Sequence, residues 1–297
     1  MFSILIPTYN YKVFPLVSEL HSQCMAADIN YEIIALDDAS SLFHSENNEI
    51  NALDNCRYEI LPANIGRSSI RNLLAKKAKY DWLLFLDADV FPKSRDFISE
   101  YLCHICSVEK VINGGLLYQE QKPEKNRIFR WVYGSKREAL SKMQRETNPY
   151  LSFLTLNFLI HKMVFDKVTF NETIPNLRHE DTLFSFDLMK ANVKVEHIDN
   201  PVYHLGLDAF ECAMRKENES LVALKYLLKH DLLSADYVRI ARYYTTIKSL
   251  KMSPLFAAFH KLTKPLFTKN LSGENPSLFI FDLYRLGYLF TINDKNE

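Results

Sequence analysis

The chain has 297 residues, and 36 Lys plus Arg balance 36 Asp plus Glu, so no charge excess directs it to nucleic acid or another polyanion. Hydrophobic residues at 47% and charged residues at 24% suit a globular domain with a sizeable core and exclude a disordered chain. The longest stretch without Asp, Glu, Lys or Arg, Thr147 to His161, is too short and too polar to cross a bilayer. Met1-Phe2-Ser3-Ile4 lacks the basic start of a secretory signal, and five irregularly spaced cysteines fit a reducing compartment, so a cytoplasmic location is expected. The seven glycines form neither a G-x-G-x-x-G turn nor a Walker loop, and no G-x-S-x-G elbow is present.

Phe2 to Pro7 is an apolar run ending in Pro7-Thr8-Tyr9-Asn10, which predicts a buried strand and then a loop. Apolar positions recur at helical spacing from Phe14 to Met25. Tyr31 to Leu36 predicts a second strand, closed by Asp37-Asp38-Ala39-Ser40, and Tyr58 to Leu61 a third. A helix is expected from Ser68 to Lys79, followed by a wholly apolar strand at Trp82 to Leu86 that runs into Asp87-Ala88-Asp89. A helix from Asp96 to Ser107 and a strand from Val111 to Leu117 come next.

This alternation predicts an α/β fold: a mostly parallel central sheet flanked by helices, with a first half at about 1–112. Ligands on such sheets bind beyond the carboxyl ends of the strands, where three polar clusters are delivered. A second half is expected at about 113–212. Within it, Glu120 to Tyr150 reads as a mobile loop or extended hairpin over the site, and Asn157 to Ile160 and Val193 to Ile198 as strands. A helical C-terminal region is expected at 213–297. There Ala213 to Leu271 holds 11 Lys plus Arg against 4 Asp plus Glu.

Asp87-x-Asp89 at a strand end can converge on one hard cation, leaving other positions for water and phosphate oxygens; alternatively, Asp87 caps the following loop. Asp37-Asp38 can accept hydrogen bonds from a nucleobase or ribose, or simply build a turn. Asn64-Ile65-Gly66-Arg67 leads into a helix carrying Arg71 four residues on. That helix start favours an anion, and a guanidinium there can hold a phosphate or stack on a base; alternatively the two arginines form a solvated basic face, or Arg71 pairs with one of the aspartates. Glu180-Asp181 at a helix start is either a cap or a general base. His204 is a structural histidine or a metal ligand. Cys103-x-x-Cys106 has no second cysteine pair, so core packing is its expected role.

In this order, Ser3 to Asn10, Ile34 to Ser40, Asn64-x-Gly66-Arg67-x-x-x-Arg71-Asn72, Leu84 to Asp89, Glu180-Asp181 and His204-Leu205-Gly206 resemble the family-2 inverting glycosyltransferases, which have the GT-A fold. The resemblance spans roughly Met1 to Leu207 and implies that about 1–112 is a Rossmann-like nucleotide-sugar half and about 113–212 an acceptor half. It implies a nucleotide-sugar donor, a UDP-sugar for preference, a glycan or lipid-linked acceptor in polysaccharide biosynthesis, and Mn²⁺ or Mg²⁺. It further implies that Pro7, Thr8, Tyr9 and Asn10 line the nucleotide pocket and that Asp37 and Asp38 approach the base. Asn64, Gly66, Arg67 and Arg71 would approach base or phosphates, with Asp87 and Ala88 beside the ribose. Asp87, Asp89 and His204 would hold the metal, and Asp181 would be the catalytic base with Glu180 beside it.

Two other readings stay open. One is a nucleotide-sugar-binding scaffold without turnover; the other is a sugar-phosphate nucleotidyltransferase, against which Pro-Thr-Tyr-Asn counts. The basic C-terminal region either packs on the catalytic domain or lies on an anionic membrane surface through Ser253 to Leu271.

Overall fold

The computed structural model describes residues 1–105, 108–175 and 178–292. The chain forms two compact units. The first comprises Met1–Tyr118, Ala139–Asn176 and Glu180–Gly206; the second comprises Gln119–Glu138, Leu177–His179 and Leu207–Glu297.

The strands of the first unit are β1 (Phe2–Thr8), β2 (Tyr31–Asp37), β3 (Cys56–Ile60), β4 (Trp82–Leu86), β5 (Val90–Pro92), β6 (Lys110–Asn113), β7 (Leu116–Leu117), β8 (Asn157–His161), β9 (Lys194–His197) and β10 (Val202–His204). Seven of them form one sheet in the order β3-β2-β1-β4-β8-β6-β9. All its pairings are parallel except those of β8, which runs antiparallel to both β4 and β6. Central strands buried on both faces read as continuous apolar runs, and β1, β2 and β4 do so. Thr8 pairs with Asp37 and Leu5 with Phe85, so the carboxyl ends of these three strands lie along one edge.

On one face of the sheet lies an aromatic core. Phe85 stacks on Phe158 at 4.9 Å, and Phe170 stacks on Phe184 at 4.2 Å. The helix Arg67–Lys77 packs onto the same cluster through Ile70, Leu74 and Ala75.

Three expectations are corrected. The strand expected over Val111 to Leu117 breaks at Gly114-Gly115 into β6 and β7, which belong to different sheets. Gly115 has φ +82, and a Cβ there would lie 2.7 Å from the Arg145 guanidinium carbon; a Cβ on Gly114 would meet the Asn200 carbonyl at 2.4 Å. Only glycines fit this crossing. Second, Glu120 to Tyr150 is neither loop nor hairpin but a run of short helical pieces, including Ile128–Tyr133 and Lys142–Thr147. Ser141 caps the latter through a reciprocal capping box with Gln144, a signature present in the sequence. Third, the helix expected from Asp96 to Ser107 is Phe97–Cys103, while Cys106 and Ser107 lie outside the described residues.

In the second unit, Phe129 meets Phe281 at 4.9 Å within a cluster that includes Phe210, Leu271 and Tyr284. Its helices include Phe210–Lys229, Arg239–Ser249, Ser253–Leu271 and Leu278–Leu289. No helix among the described residues is long and apolar enough to cross a membrane.

Arg145 is buried, and among the described residues its guanidinium hydrogen-bonds neutral acceptors. It donates to the carbonyls of Asn113 (3.1 Å), Ile198 (2.8 Å) and Leu140 (3.2 Å), and its Nη1 lies 2.9 Å from His197 Nδ1. Arg145→Ala orphans several buried acceptors at once. Urea denaturation should show a loss of at least about 3 kcal/mol.

Candidate active site

The carboxyl-terminal edge of the sheet gathers most of the polar clusters. At the end of β1, Thr8 is buried while Tyr9 projects, 58% exposed. Pro7 is half-buried. Asn10 takes a left-handed φ of 49 and ties its loop to the one after β2: Asn10 N–H donates to Ser40 Oγ at 2.7 Å, and Ser41 N–H donates to Asn10 Oδ1 at 2.8 Å.

The two adjacent aspartates after β2 have separate tasks. Asp37 is 0% exposed, and its carboxylate accepts from Ser40 N–H at 2.7 Å and from the Tyr58 hydroxyl. This geometry makes it a support of the loop. Asp38 accepts from the backbone N–H groups of Ile65 (2.7 Å) and Gly66 (3.0 Å), while Asn64 Nδ2 donates to its carbonyl at 3.0 Å. Gly66, at φ 86, starts the helix Arg67–Lys77. Asp38 therefore fixes where that helix begins.

Arg67 and Arg71, four residues apart, diverge in environment: Arg67 is exposed and Arg71 buried. Arg71 Nη2 donates to Asp87 Oδ1 at 2.7 Å, and Nη1 lies 3.6 Å from Glu180 Oε1. The guanidinium also sits over the Phe170 ring, 5.4 Å from its centroid. Burial opposes its charge, but the carboxylates of Asp87 and Glu180 outweigh that effect and raise its pKa above the ordinary value. Glu180 and Asp181 open the helix Glu180–Lys190, where a negative charge is favoured by the helix dipole. Burial, and then the neighbouring Asp181 charge, push the Glu180 carboxyl above the usual range against the pull of Arg71.

Asp89 turns the other way. Its Oδ2 lies 3.4 Å from His204 Nε2, and its carbonyl accepts from Leu205 N–H at 2.8 Å. A small sheet in the order β5-β10-β7 brings them together, with His204 opposite Val90 in the β10–β5 pairing. Gly206 completes the approach, since a Cβ there would lie 2.2 Å from Asp89 Oδ2. The Nδ1 of His204 is buried without a hydrogen-bond partner. Ala88 is buried between the two aspartates.

Asp87, Asp89 and His204, taken from the sequence as three metal ligands, are thus divided between Arg71 and a two-residue Asp89–His204 pair. Among the described residues no group of three or more His, Cys, Asp or Glu side chains converges as a metal site. A carboxylate oxygen and an imidazole nitrogen 3.4 Å apart still fit adjacent positions around one divalent cation whose other ligands are water and phosphate. Sequence reading did not identify Phe170, Asn72 and Glu172 as supports of this site. Asn72 Nδ2 donates to the Phe170 carbonyl (2.8 Å) and to Glu172 (2.7 Å), and its Oδ1 accepts from Phe170 N–H (3.0 Å), fixing the ring under Arg71.

A mostly parallel sheet with acids gathered along its carboxyl-terminal strand edge is an α/β ligand-binding architecture. The family model described as glycosyl transferase family 2 matches residues 3–169, and the chain belongs to that family. It is 27% identical over 198 residues to an uncharacterized glycosyltransferase of Haemophilus influenzae, covering 64% of this chain and 72% of that one. The fold is similar to S. aureus TarS 1-349 in complex with UDP, with TM-score 0.52 and 16% identity over 97% of this chain and 89% of the other. A longer TarS structure matches with TM-score 0.53 and 15% identity over 96% of this chain, which spans 54% of that protein's length. The fold is GT-A-like, with a helical C-terminal part.

Because Glu180 binds its proton more tightly in the folded chain than when unfolded, its contribution to stability falls as pH rises from the ordinary carboxylate range through its raised pKa. Glu180→Gln is therefore expected to raise the thermal midpoint at neutral pH. The difference from wild type should close as pH drops below the ordinary glutamate range, as followed by circular dichroism melts across pH.

Proposed function

We propose that this family-2 enzyme transfers a sugar from a UDP-sugar to a hydroxyl of a glycan or lipid-linked acceptor in polysaccharide biosynthesis, inverting the anomeric centre. One observation carries the reading: Arg71 ties the acidic end of β4 to the Glu180-Asp181 helix start, on the sheet edge where GT-A-like folds bind ligands. The similarity to a TarS structure in complex with UDP favours uridine among the bases.

In this reading Tyr9 offers an exposed ring to the base, and the loop clamped by Asp38 places Arg67 toward the phosphates. Asp89 and His204 would hold Mn²⁺ or Mg²⁺, which would supply Lewis-acid charge neutralisation for a diphosphate leaving group. Asp181 accepts the proton of the acceptor hydroxyl as its oxygen forms a bond to the anomeric carbon. The bond from that carbon to the phosphate oxygen breaks, and the nucleoside diphosphate leaves with the electron pair. Glu180, held by Arg71, orients the helix that presents Asp181. A single displacement of this kind inverts the centre and needs no second carboxylate as nucleophile.

Calorimetric titration with UDP, GDP, dTDP and CMP, each with and without Mn²⁺, tests the donor site. Metal-dependent binding of UDP alone is expected, and a folded protein that binds none of them overturns the proposal. Asp181→Asn should lower transfer roughly 10²–10⁴-fold while leaving UDP binding nearly intact. Asp89→Ala and His204→Ala should instead weaken the Mn²⁺-dependent part of UDP binding. Normal transfer by Asp181→Asn removes the base assignment.

A further inference from the structure

The helix Ser253–Leu271 has one side built into the second unit, where His260 and Leu271 are buried. The other side is not covered. Leu255, Phe259, Leu262 and Leu266, spaced by four, three and four residues, are all exposed, Leu262 at 79% and Leu266 at 70%. At about 100° per residue they form a stripe roughly 60° wide. Pro254, Ala258 and Pro265 extend the exposed apolar arc on one side, with Lys261 at its border and Lys269 within it. Leu250 and Met252, in the turn leading into the helix, are exposed as well.

The charge around this face has one sign. Between Asp236 and Glu274 the sequence holds no acid but seven arginines and lysines, with Lys261, Lys264 and Lys269 on the helix itself. The whole basic excess of the C-terminal region therefore falls on the segment that carries the apolar stripe.

We infer that this face is a docking surface for an anionic lipid bilayer, on which the helix lies in the interface plane. Leucine and phenylalanine side chains enter the headgroup boundary while lysines meet lipid phosphates. A second copy of the chain fits the face less well. The four-three-four spacing resembles a coiled-coil seam, but the next seam position is Lys269 and the helix supplies no acid to pair with its lysines. A seam of two heptads is also shorter than the three or four that sustain a coiled coil. The helix is not long and apolar enough to span a bilayer, so it rests on the surface. This inference stands independently of the donor and base assignments, because none of its residues belongs to the candidate active site.

The test is co-sedimentation of the full chain with phosphatidylcholine vesicles and with mixed phosphatidylcholine–phosphatidylglycerol vesicles, at low and high salt. Binding to the anionic vesicles, weakened by salt, is expected. Leu262→Glu combined with Leu266→Glu should lower partitioning roughly tenfold or more. Lys261→Gln combined with Lys269→Gln should reduce the preference for anionic lipid. Both pairs are exposed, and unchanged melting curves would establish that the fold is kept. No binding to anionic vesicles, or binding unaffected by the double leucine variant, overturns the inference. A concentration-dependent dimer in sedimentation velocity that the leucine variant abolishes also overturns it, by assigning the face to a second copy.

Discussion

A charged guanidinium in a protein interior must be matched by charge and hydrogen bonds, and Arg71 imposes that condition on the rest of the first unit. Its partners come from separate parts of the chain: Asp87 from the end of β4 and Glu180 from the start of a helix almost a hundred residues later. Asp87 holds the guanidinium through a hydrogen bond at 2.7 Å, while Glu180 lies 3.6 Å away. The aromatic core carries the same constraint downward. Phe170 lies under Arg71 and stacks on Phe184, and Asn72, next to Arg71 in sequence, binds both backbone groups of Phe170. Packing, hydrogen bonding and charge thus determine one arrangement together.

The remaining polar groups at the edge are positioned by backbone rather than by side-chain reach. Asp38 receives two successive N–H groups, so the loop 64–66 and the helix it starts are fixed relative to β2. The Asp89–His204 approach depends on three very short strands and on the absence of a side chain at Gly206. Groups held in this way need little reorganisation when a charged ligand arrives, which is the condition for electrostatic stabilisation of a developing charge. The stability cost at Glu180, where burial and a like charge disfavour the ionised form, belongs to the same arrangement.

Much of the first unit was legible in the sequence because its central strands are buried on both faces and read as unbroken apolar runs. Acids immediately after such runs, at Asp38, Asp87 and Asp89, mark the ligand edge without knowledge of strand order. Other features were not legible. β5, β7 and β10 have two or three residues each, too few for a periodic pattern, so the sheet that joins Asp89 to His204 left no signal. The segment Glu120 to Tyr150 reads as loop or hairpin because its helical turns are short and its surface charged, although Ile128 and Phe129 are buried. The Ser141–Gln144 capping box within it is a readable sign of helix.

Asp37 and Asp38 show the division most directly. As adjacent residues of one type they are equivalent on paper, but alternation along β2 sends the first inward to Tyr58 and Ser40, and the turn directs the second to the backbone of 65–66. Arg67 and Arg71 share a helical face and are separated by position along it: Arg67 opens the helix, while Arg71 lies one turn further in, over Phe170. The sequence by itself determined the α/β alternation, the edge on which polar chemistry collects and the apolar stripe of the C-terminal helix, because these depend on local patterns of burial. The tertiary structure alone decided which carboxylate meets Arg71, which meets His204 and which is buried as a support, because each pairing joins residues whose proximity arises only when strands and helices pack.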